Sequence, residues 1–208
     1  MSLITFPNNE ARVARFELLR SQETLVTVAG VTQVTSFPDA RWALSLEIVQ
    51  QKSADLRAWS LALTRLSDKA HWFAYGPPHY SGPSTGYAGS APSVLGAGQL
   101  GTALTVDGLP NSTAILLAGD FISFDTVSNA GNANRQLIQV YNNVTSDGDG
   151  VATMSLASPI RQAPADDATV NISTPTALFM LVESRGGVNF DVRRSSEFFI
   201  DSIERIFA

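Results

Sequence analysis

One glycine-rich segment has the spacing of a dinucleotide-binding loop. Gly96-Ala97-Gly98-Gln99-Leu100-Gly101 matches G-x-G-x-x-G, and Asp120 follows at the distance expected of a ribose-binding carboxylate. That chemistry needs a strand before the glycines and a helix after them, because the helix N-terminus holds the pyrophosphate. Here residues 102–108 alternate like a strand and end in a turn. The pattern therefore favours a flexible loop that leads into a β-domain over a cofactor site.

A second polar cluster offers oxygen ligands of the kind that calcium prefers. It contains Asp147 and Asp149, with Asn142 and Asn143 nearby. The spacing of an EF-hand and its final Glu are missing. We therefore predict a β-turn over Asp147-Gly148-Asp149-Gly150, and likewise a solvated turn at Asp166-Asp167.

The residues of familiar catalytic sites are scarce. The chain has no cysteine, and its two histidines, His71 and His79, have no partner pattern for a triad or a metal pair. A glycosidase needs two carboxylates, one with a raised pKa. The stretch 77–175 offers only aspartates placed at turns and no Glu. We predict no catalytic residue, no cofactor and no metal ligand, so the protein is not expected to be an enzyme.

Aromatic residues near position 80 are the candidate ligand contacts. Tyr80 and Tyr87 lie in a Gly/Ser/Pro-rich linker over residues 80–93, and Trp72 precedes it in an aromatic segment. Exposed aromatic rings of this kind can form a sugar-stacking platform. For Trp72 the pattern favours partial burial, whereas Tyr80 and Tyr87 remain candidates for contact with a glycan or a partner.

The distribution of charge divides the chain into three parts. The stretch from Pro77 to Pro175 contains seven Asp, no Glu, no Lys and two Arg, whereas the flanks share twelve acidic and twelve basic residues. Eleven of the fifteen Gly and eight of the ten Pro also fall in that stretch. We predict a scaffold formed by residues 1–76 and 176–208, with an inserted β-domain at 77–175.

The N-terminal flank has patterns for strands and one helix. Thr24–Thr35 is rich in Val and Thr and is broken at Gly30, which predicts one or two strands. From Arg41 the alternation predicts a half-buried strand, and His71–Tyr75 predicts another. Ser53 is a candidate N-cap. The apolar residues of the helix that follows recur at helical spacing: Leu56, Trp59, Leu63 and Leu66.

The C-terminal flank predicts the same mixture. Ala177–Val182 is an apolar strand, Arg185-Gly186-Gly187 is a hairpin signal, and residues 188–192 continue as a strand. A last short helix is predicted from Ser195 or Ser196, on the spacing of Phe199, Ile203 and Ile206. Together the flanks predict a sheet covered by helices.

Between the flanks, short apolar runs recur every 8 to 12 residues with turn signals between them. This spacing predicts a small β-barrel or sandwich. The runs are Ala103–Val106, Ala114–Leu117, Phe121–Phe124, Leu137–Tyr141, Val151–Leu156 and Thr169–Ile172.

Composition excludes several classes of protein. A net charge of −5 argues against nucleic-acid binding, which needs a basic stripe to neutralise phosphates. The first residues have no basic and apolar segments of a signal peptide, and no apolar run approaches the roughly 20 residues of a membrane span. A content of 44% apolar and 16% charged residues indicates a globular protein.

The order of these elements resembles the distal-tail or tail-hub proteins of long-tailed bacteriophages. The resemblance covers nearly the whole chain beyond about residue 20 and includes no catalytic motif. The segments that carry it are Phe37-Pro38-Asp39-Ala40-Arg41-Trp42, Gly96-Ala97-Gly98-Gln99-Leu100-Gly101-Thr102, Leu117-Ala118-Gly119-Asp120-Phe121-Ile122, Val144-Thr145-Ser146-Asp147-Gly148-Asp149-Gly150 and Ser158-Pro159-Ile160-Arg161.

The resemblance implies a fold that is mainly β with minor α. It would be a tail-tube-like β-sandwich plus a flanking helix, split by the inserted small β-barrel or sandwich domain. Such proteins form a ring, often a hexamer, that joins the tail tube to the hub and the receptor-binding apparatus and lets DNA pass. The family's usual C-terminal galectin-like domain is not evident here, since the extra β-domain lies between the flanks.

The implied partners are other copies of the chain, the tail tube protein, the tail hub proteins, the tape-measure protein and tail fibres. The implied location is the virion tail tip, assembled in the host cytoplasm, with no sequence-specific nucleic-acid binding and no membrane insertion. The alternative function is a carbohydrate-binding module on a structural scaffold, with Tyr80 and Tyr87 at its site.

Overall fold

The chain folds mainly into β-structure. The computed structural model describes residues 3–5, 11–20, 22–26, 28, 30, 32–36, 40–50, 53–67, 71–127, 133–182, 189–190 and 196–205. Within them the elements in chain order are β1 Ala11–Leu19, β2 Gln22–Val26, β3 Thr32–Ser36, β4 Arg41–Gln50, α1 Ser53–Leu66, β5 Phe73–Tyr75, β6 Ser93–Val94, β7 Gly101–Asp107, β8 Ala114–Leu116, β9 Phe121–Val127, β10 Ala133–Gln139, β11 Val144–Thr145, β12 Ala152–Ile160, β13 Val170–Asn171, β14 Ala177–Leu181, β15 Asn189–Phe190 and β16 Ser196–Glu204.

The largest sheet is built from both ends of the chain. Its strand order is β1-β4-β16-β14-β5, with β15 paired to β16, and these strand pairs are all antiparallel. All six strands lie before residue 76 or after residue 176. The domain limits at 77 and 175 stay a prediction.

Strand β4 confirms the predicted alternation. Trp42, Leu44 and Leu46 are buried, and the intervening residues are half-buried. Period-two burial of this kind places one face of an antiparallel strand against a core. Helix α1 is also confirmed, and its Trp59, Leu63 and Leu66 pack into the same core, which we call the first core.

The predicted C-terminal helix is wrong, because Ser196–Glu204 forms strand β16 between β4 and β14. Ile200, Ser202 and Glu204 are buried with the period of a strand, whereas Asp201 is exposed. Two of those three inward positions are polar, so the alternation is hidden in the sequence. Neighbouring strands supply their partners: the Ser202 hydroxyl donates to the Leu44 carbonyl at 2.8 Å, and Glu204 is paired as described below.

The remaining flank predictions are mostly confirmed. The segment broken at Gly30 forms the hairpin of β2 and β3, the aromatic run forms β5, and Ala177–Leu181 forms β14. The hairpin signal Arg185-Gly186-Gly187 lies outside the described residues, as does Ile206 of the predicted helix.

All six apolar runs predicted between the flanks contain strands. These strands are β7, β8, β9, β10, β12 and β13. They form small sheets with the orders β10-β9-β13, β11-β8 and β12-β7-β6, rather than one closed hydrogen-bonded ring. The sheets share a second core of buried apolar side chains between Val94 and Ile172.

Candidate functional site at the junction of the two cores

Side chains from the middle of the chain pack into the first core. Leu137 of β10 is buried there, and Phe121 of β9 packs against it. The rings of Phe121 and Trp42 lie 5.7 Å apart, and the Trp42 indole N–H donates to the Leu137 carbonyl at 2.8 Å. Trp42 also stacks on Phe16 at 4.7 Å. The two cores therefore meet through aromatic contacts around Trp42.

A buried ion pair lies beside these aromatic residues. The Arg161 Nη2 atom, just after β12, is 2.5 Å from Glu204 Oε1, and its Nη1 atom is 3.1 Å from Oε2. Arg161 Nη1 also donates to the Ala40 carbonyl, and the Trp42 backbone N–H donates to Glu204 Oε2 at 3.0 Å. The Glu204 side chain is fully buried, and that of Arg161 is 11% exposed. One guanidinium thus joins β12 to β4 and β16.

Burial and charge act in opposite directions on Glu204. Loss of hydration raises the pKa of this carboxyl, and the Arg161 guanidinium opposes that rise by favouring the ionised form. The pair is bidentate, a geometry in which both carboxylate oxygens accept charge-assisted hydrogen bonds. Removing either partner would leave a charge in an apolar setting.

Amide side chains continue the polar contacts from Arg161. The Gln136 side chain accepts from the Arg161 backbone N–H at 2.9 Å and donates to the Gln162 carbonyl at 2.6 Å. The Gln162 side-chain oxygen accepts from Thr126 at 2.8 Å and from Asn134 at 2.7 Å. These bonds fix the end of β12 against β9 and β10.

A small cleft opens beside this network. It is lined by Asn134, Arg135, Gln136, Arg161, Gln162 and Arg205. The Arg205 guanidinium lies 3.4 Å from the centre of the Trp72 ring, and burial lowers the pKa of Arg205 to about 10. Trp72 is half-buried, in agreement with its prediction. Arg135 forms an ion pair with Asp125 at 2.7 Å and donates to the Thr176 hydroxyl at 2.8 Å.

The two tyrosines predicted to contact a ligand lie in different places. Tyr80 is at the junction: its ring packs edge-on against Phe121 at 5.7 Å, and its hydroxyl donates to the Ile172 carbonyl at 3.0 Å. Burial, and then the charge of Asp120, raise the pKa of Tyr80 to about 12. Tyr87 packs against the second core, and its hydroxyl donates to the Ser90 carbonyl at 3.1 Å. Contact with a glycan or partner stays a prediction for both.

The glycine-rich segment 96–101 is the loop of a hairpin between β6 and β7. The Gln99 side chain holds it closed by bonding the Thr105 backbone N–H at 2.7 Å and the Leu95 carbonyl at 2.8 Å. A strand follows the glycines, so the segment lacks the helix N-terminus that would bind pyrophosphate. Asp120 is buried, and it accepts from the Ser84 and Leu117 backbone N–H groups at 3.0 and 2.9 Å.

The acidic segment at 147–150 forms the predicted turn. Asp147 Oδ1 accepts from the backbone N–H groups of Asp149 and Val151, each at 2.9 Å, and these bonds lower the pKa of its carboxyl. The Oδ1 atom of Asp147 is therefore used by its own turn. Across the described ranges, no three His, Cys, Asp or Glu side chains are grouped closely enough to hold a metal ion.

The two histidines lie in different settings. His79 occupies an exposed turn with a φ of 62°, and His71 is half-buried just before β5. Asp166 and Asp167 lie in the predicted exposed turn, where Asp166 Oδ1 accepts from the Gly96 N–H at 2.7 Å. No helix among the described residues is long and apolar enough to cross a membrane.

Sequence reasoning missed the Arg161–Glu204 pair. Two signals pointed to it: Arg161 is one of two basic residues between positions 77 and 175, and Glu204 lies in a segment that also holds Phe198, Phe199, Ile200 and Ile203. Neither signal shows that Arg161 and Glu204 contact each other. A scan against models of protein families and a search among curated proteins found no match to this chain.

Proposed function

We propose that the chain is a structural protein of the tail tip of a long-tailed bacteriophage. Copies of it form a ring, a hexamer by the resemblance, that joins the tail tube to the hub and receptor-binding apparatus. The observation that carries the proposal is a pair of elements suited to assembly: the edge strand β1 of the large sheet, and the hairpin of β2 and β3 that follows it in the chain.

Strand β1 supports self-association through its backbone. It has nine residues and pairs with β4 along one side, and it ends the strand order of the large sheet in the part of the chain that the structure describes. An edge strand of this length presents N–H and C=O groups that favour pairing with another chain. When such an edge meets a different surface of the next copy and the rotation closes, a ring results.

The β2–β3 hairpin supports self-association through apolar contact. Leu25 is 53% exposed, Val26 is 67% exposed, and Val28 is fully exposed in the turn region. Exposed apolar side chains grouped on one element mark interaction surfaces more often than isolated ones do. Contact with a neighbouring copy would remove these side chains from water.

In the proposed ring, the large sheet and α1 form the tail-tube-like sandwich, and residues 77–175 form a projecting β-domain. The tail tube, hub and tape-measure proteins contact the ring faces, and tail fibres dock on the projecting domain. The net charge of −5 suits a channel that DNA crosses without being held, because there is no excess of cations to replace counterions.

Electron microscopy and mass measurement of the purified chain test the ring. We expect closed rings with a mass that is a whole multiple of the protomer. The double variant Leu25→Asp/Val26→Asp should shift the mass towards the monomer, because a ring contact would then bury two charges. The control Leu100→Asp changes a leucine of similar exposure, 61%, in the β6–β7 loop and should leave the rings intact.

A second test, on the phage particle, covers the case in which rings form only on the assembled tail. A tag on this chain should be seen at the tail tip by labelled negative-stain imaging. A monomeric chain at high concentration, together with no label at the tail tip, would refute the proposal.

A further inference from the structure

Tyr141 is the most accessible of the four tyrosines. It lies two residues after the end of β10 and is 69% exposed, whereas its neighbour Val140 is 1% exposed. The rings of Tyr80 and Tyr87 are half-buried, and both hydroxyls donate to carbonyls of their own chain. Because Val140 is packed in the core, the backbone next to Tyr141 is held in place, while the Tyr141 ring stays exposed to water.

Small side chains lie beside Tyr141 on the outer surface of the adjoining sheet. Val140 bridges to Leu156, and the Tyr141 backbone N–H donates to the Ser155 carbonyl at 2.8 Å, so Tyr141 lies opposite Ser155. Ser155 is in turn opposite Ala103 of β7. Directly opposite residues of antiparallel strands share a face. The row Tyr141, Ser155 and Ala103 therefore presents one large ring beside two small side chains.

Hydrogen-bonding groups flank this row. Thr153 lies opposite Thr105, and their hydroxyl oxygens are 3.3 Å apart. Both residues are two positions from the row, on the same outward face. On the other side, Gln139 shares the face of Tyr141, and its Nε2 atom donates to the Gly119 carbonyl at 2.9 Å. Its amide oxygen is a further acceptor beside the ring.

The face carries no charged side chain, since its six members are Ala103, Thr105, Gln139, Tyr141, Thr153 and Ser155. Charged groups lie at its two ends. Asp107 follows Thr105 by two residues, and the Arg20 guanidinium donates to the Ala157 carbonyl at 3.0 Å. A neutral ligand suits the middle of such a face better than an anion does, because an anion there would lose hydration without gaining a cation.

We propose that this face, the Tyr141 face, binds a neutral sugar ring of a glycan. A hexopyranose has an apolar C–H surface and a rim of hydroxyls. The C–H surface stacks on Tyr141, and the hydroxyls bond to Thr105, Thr153, Ser155 and the Gln139 amide. Tyr141, rather than Tyr80 or Tyr87, supplies the aromatic platform. The proposal does not depend on ring formation.

Binding of neutral hexasaccharides to the full chain tests the Tyr141 face. The probes are immobilised hexamers of glucose, mannose, galactose and N-acetylglucosamine, with a sulfated heparin hexasaccharide as the anionic comparison. We expect at least one neutral hexamer to bind and the heparin fragment not to bind. Tyr141→Ala should weaken that binding about tenfold, because a stacked ring contributes about 1.4 kcal/mol.

Matched variants distinguish loss of the Tyr141 ring from general effects of a substitution on the protein. Tyr141→Phe keeps the ring and should retain most of the binding. Tyr87→Phe and Leu61→Ala should leave it unchanged; Leu61 is 61% exposed on α1, close to the exposure of Tyr141. Circular dichroism and the midpoint of thermal unfolding should be the same for all four variants, since none removes a core side chain.

Three results would overturn the proposal. One is that no neutral hexamer binds at millimolar concentration. The second is binding that Tyr141→Ala leaves unchanged. The third is a fall in self-association of the Tyr141→Ala chain without any glycan binding, which would assign the face to contact between copies of the chain.

Discussion

Replacing Arg161 by Met should destabilise the protein severely at neutral pH. The change removes both guanidinium contacts to Glu204 and leaves a fully buried carboxylate whose remaining donors include the backbone N–H groups of Trp42 and Leu137. Breaking a buried ion pair in this way costs about 3–5 kcal/mol in the free energy of unfolding. Met fills much of the volume of the arginine stem, so most of this loss reflects charge rather than a cavity.

Urea unfolding at pH 7, followed by tryptophan fluorescence, measures the loss. Arg135→Met is the matched control, because Arg135 forms an ion pair with Asp125 in which the side chains are 31% and 65% exposed. Water screens an exposed pair, so we expect a loss of about 1 kcal/mol or less. The double variant Arg161→Met/Glu204→Gln should be more stable than Arg161→Met alone, since the unpaired charge is gone.

The pH dependence of Arg161→Met provides a second measurement. Burial raises the pKa of Glu204 above its value in the unfolded chain, and loss of the guanidinium raises it further. The folded state then binds the proton more tightly than the unfolded state does. The contribution of Glu204 to the variant's stability should therefore be fully present below about pH 4.3, the unfolded pKa of Glu, and be lost as pH rises through the raised folded pKa.

Two results would refute this reasoning. The first is a loss below about 1 kcal/mol for Arg161→Met at pH 7, equal to that of the exposed-pair control. The second is a difference between Arg161→Met and the unsubstituted protein that grows as pH falls. Either would mean that Glu204 is hydrated, or that it is not the partner of Arg161 in solution.

Three further predictions concern the residues between positions 77 and 175. Tyr80 should ionise near pH 12, so the ultraviolet absorbance titrations of the protein and of Tyr80→Phe should differ near that pH. The stability that the buried, neutral phenol provides is complete below about pH 10, the unfolded pKa of tyrosine, and is lost as the pH rises to about 12. Gly150→Ala should lower stability by about 1–3 kcal/mol in urea unfolding, because φ is 78° and the new Cβ would lie 2.2 Å from the Leu109 carbonyl oxygen. The control Gly148→Ala meets no atom within 4 Å and should have a small effect. Asp147 should titrate below the usual pKa of an aspartate by NMR of its carboxyl carbon, and its stabilising effect should be lost only as pH falls through that lowered value; a normal pKa would mean that its backbone bonds do not persist in solution.

Local patterns in the sequence predicted most of the individual elements. The alternation from Arg41 predicted β4, and the 3.6-residue spacing of Trp59, Leu63 and Leu66 predicted α1. Turn signals at regular spacing predicted the strands between positions 101 and 171. These predictions succeeded because each element buries one face and exposes the other, so apolar residues recur along the sequence with the period of the buried face.

Only the tertiary structure decided which distant residues meet. The spacing of Phe199, Ile203 and Ile206 predicts a helix, but Ser196–Glu204 forms strand β16. Its inward polar residues, Ser202 and Glu204, find their partners on β4 and in Arg161. The sequence predicts Tyr80 as a ligand contact in a linker, yet its ring packs against Phe121 at the junction of the two cores. No pattern in the sequence distinguished Tyr141 as an exposed aromatic residue. A buried polar residue or an exposed aromatic ring depends on neighbours far along the chain. The sequence by itself therefore determined most of the strands and helix α1, and the tertiary structure determined strand β16, the ion pair and the accessible surfaces.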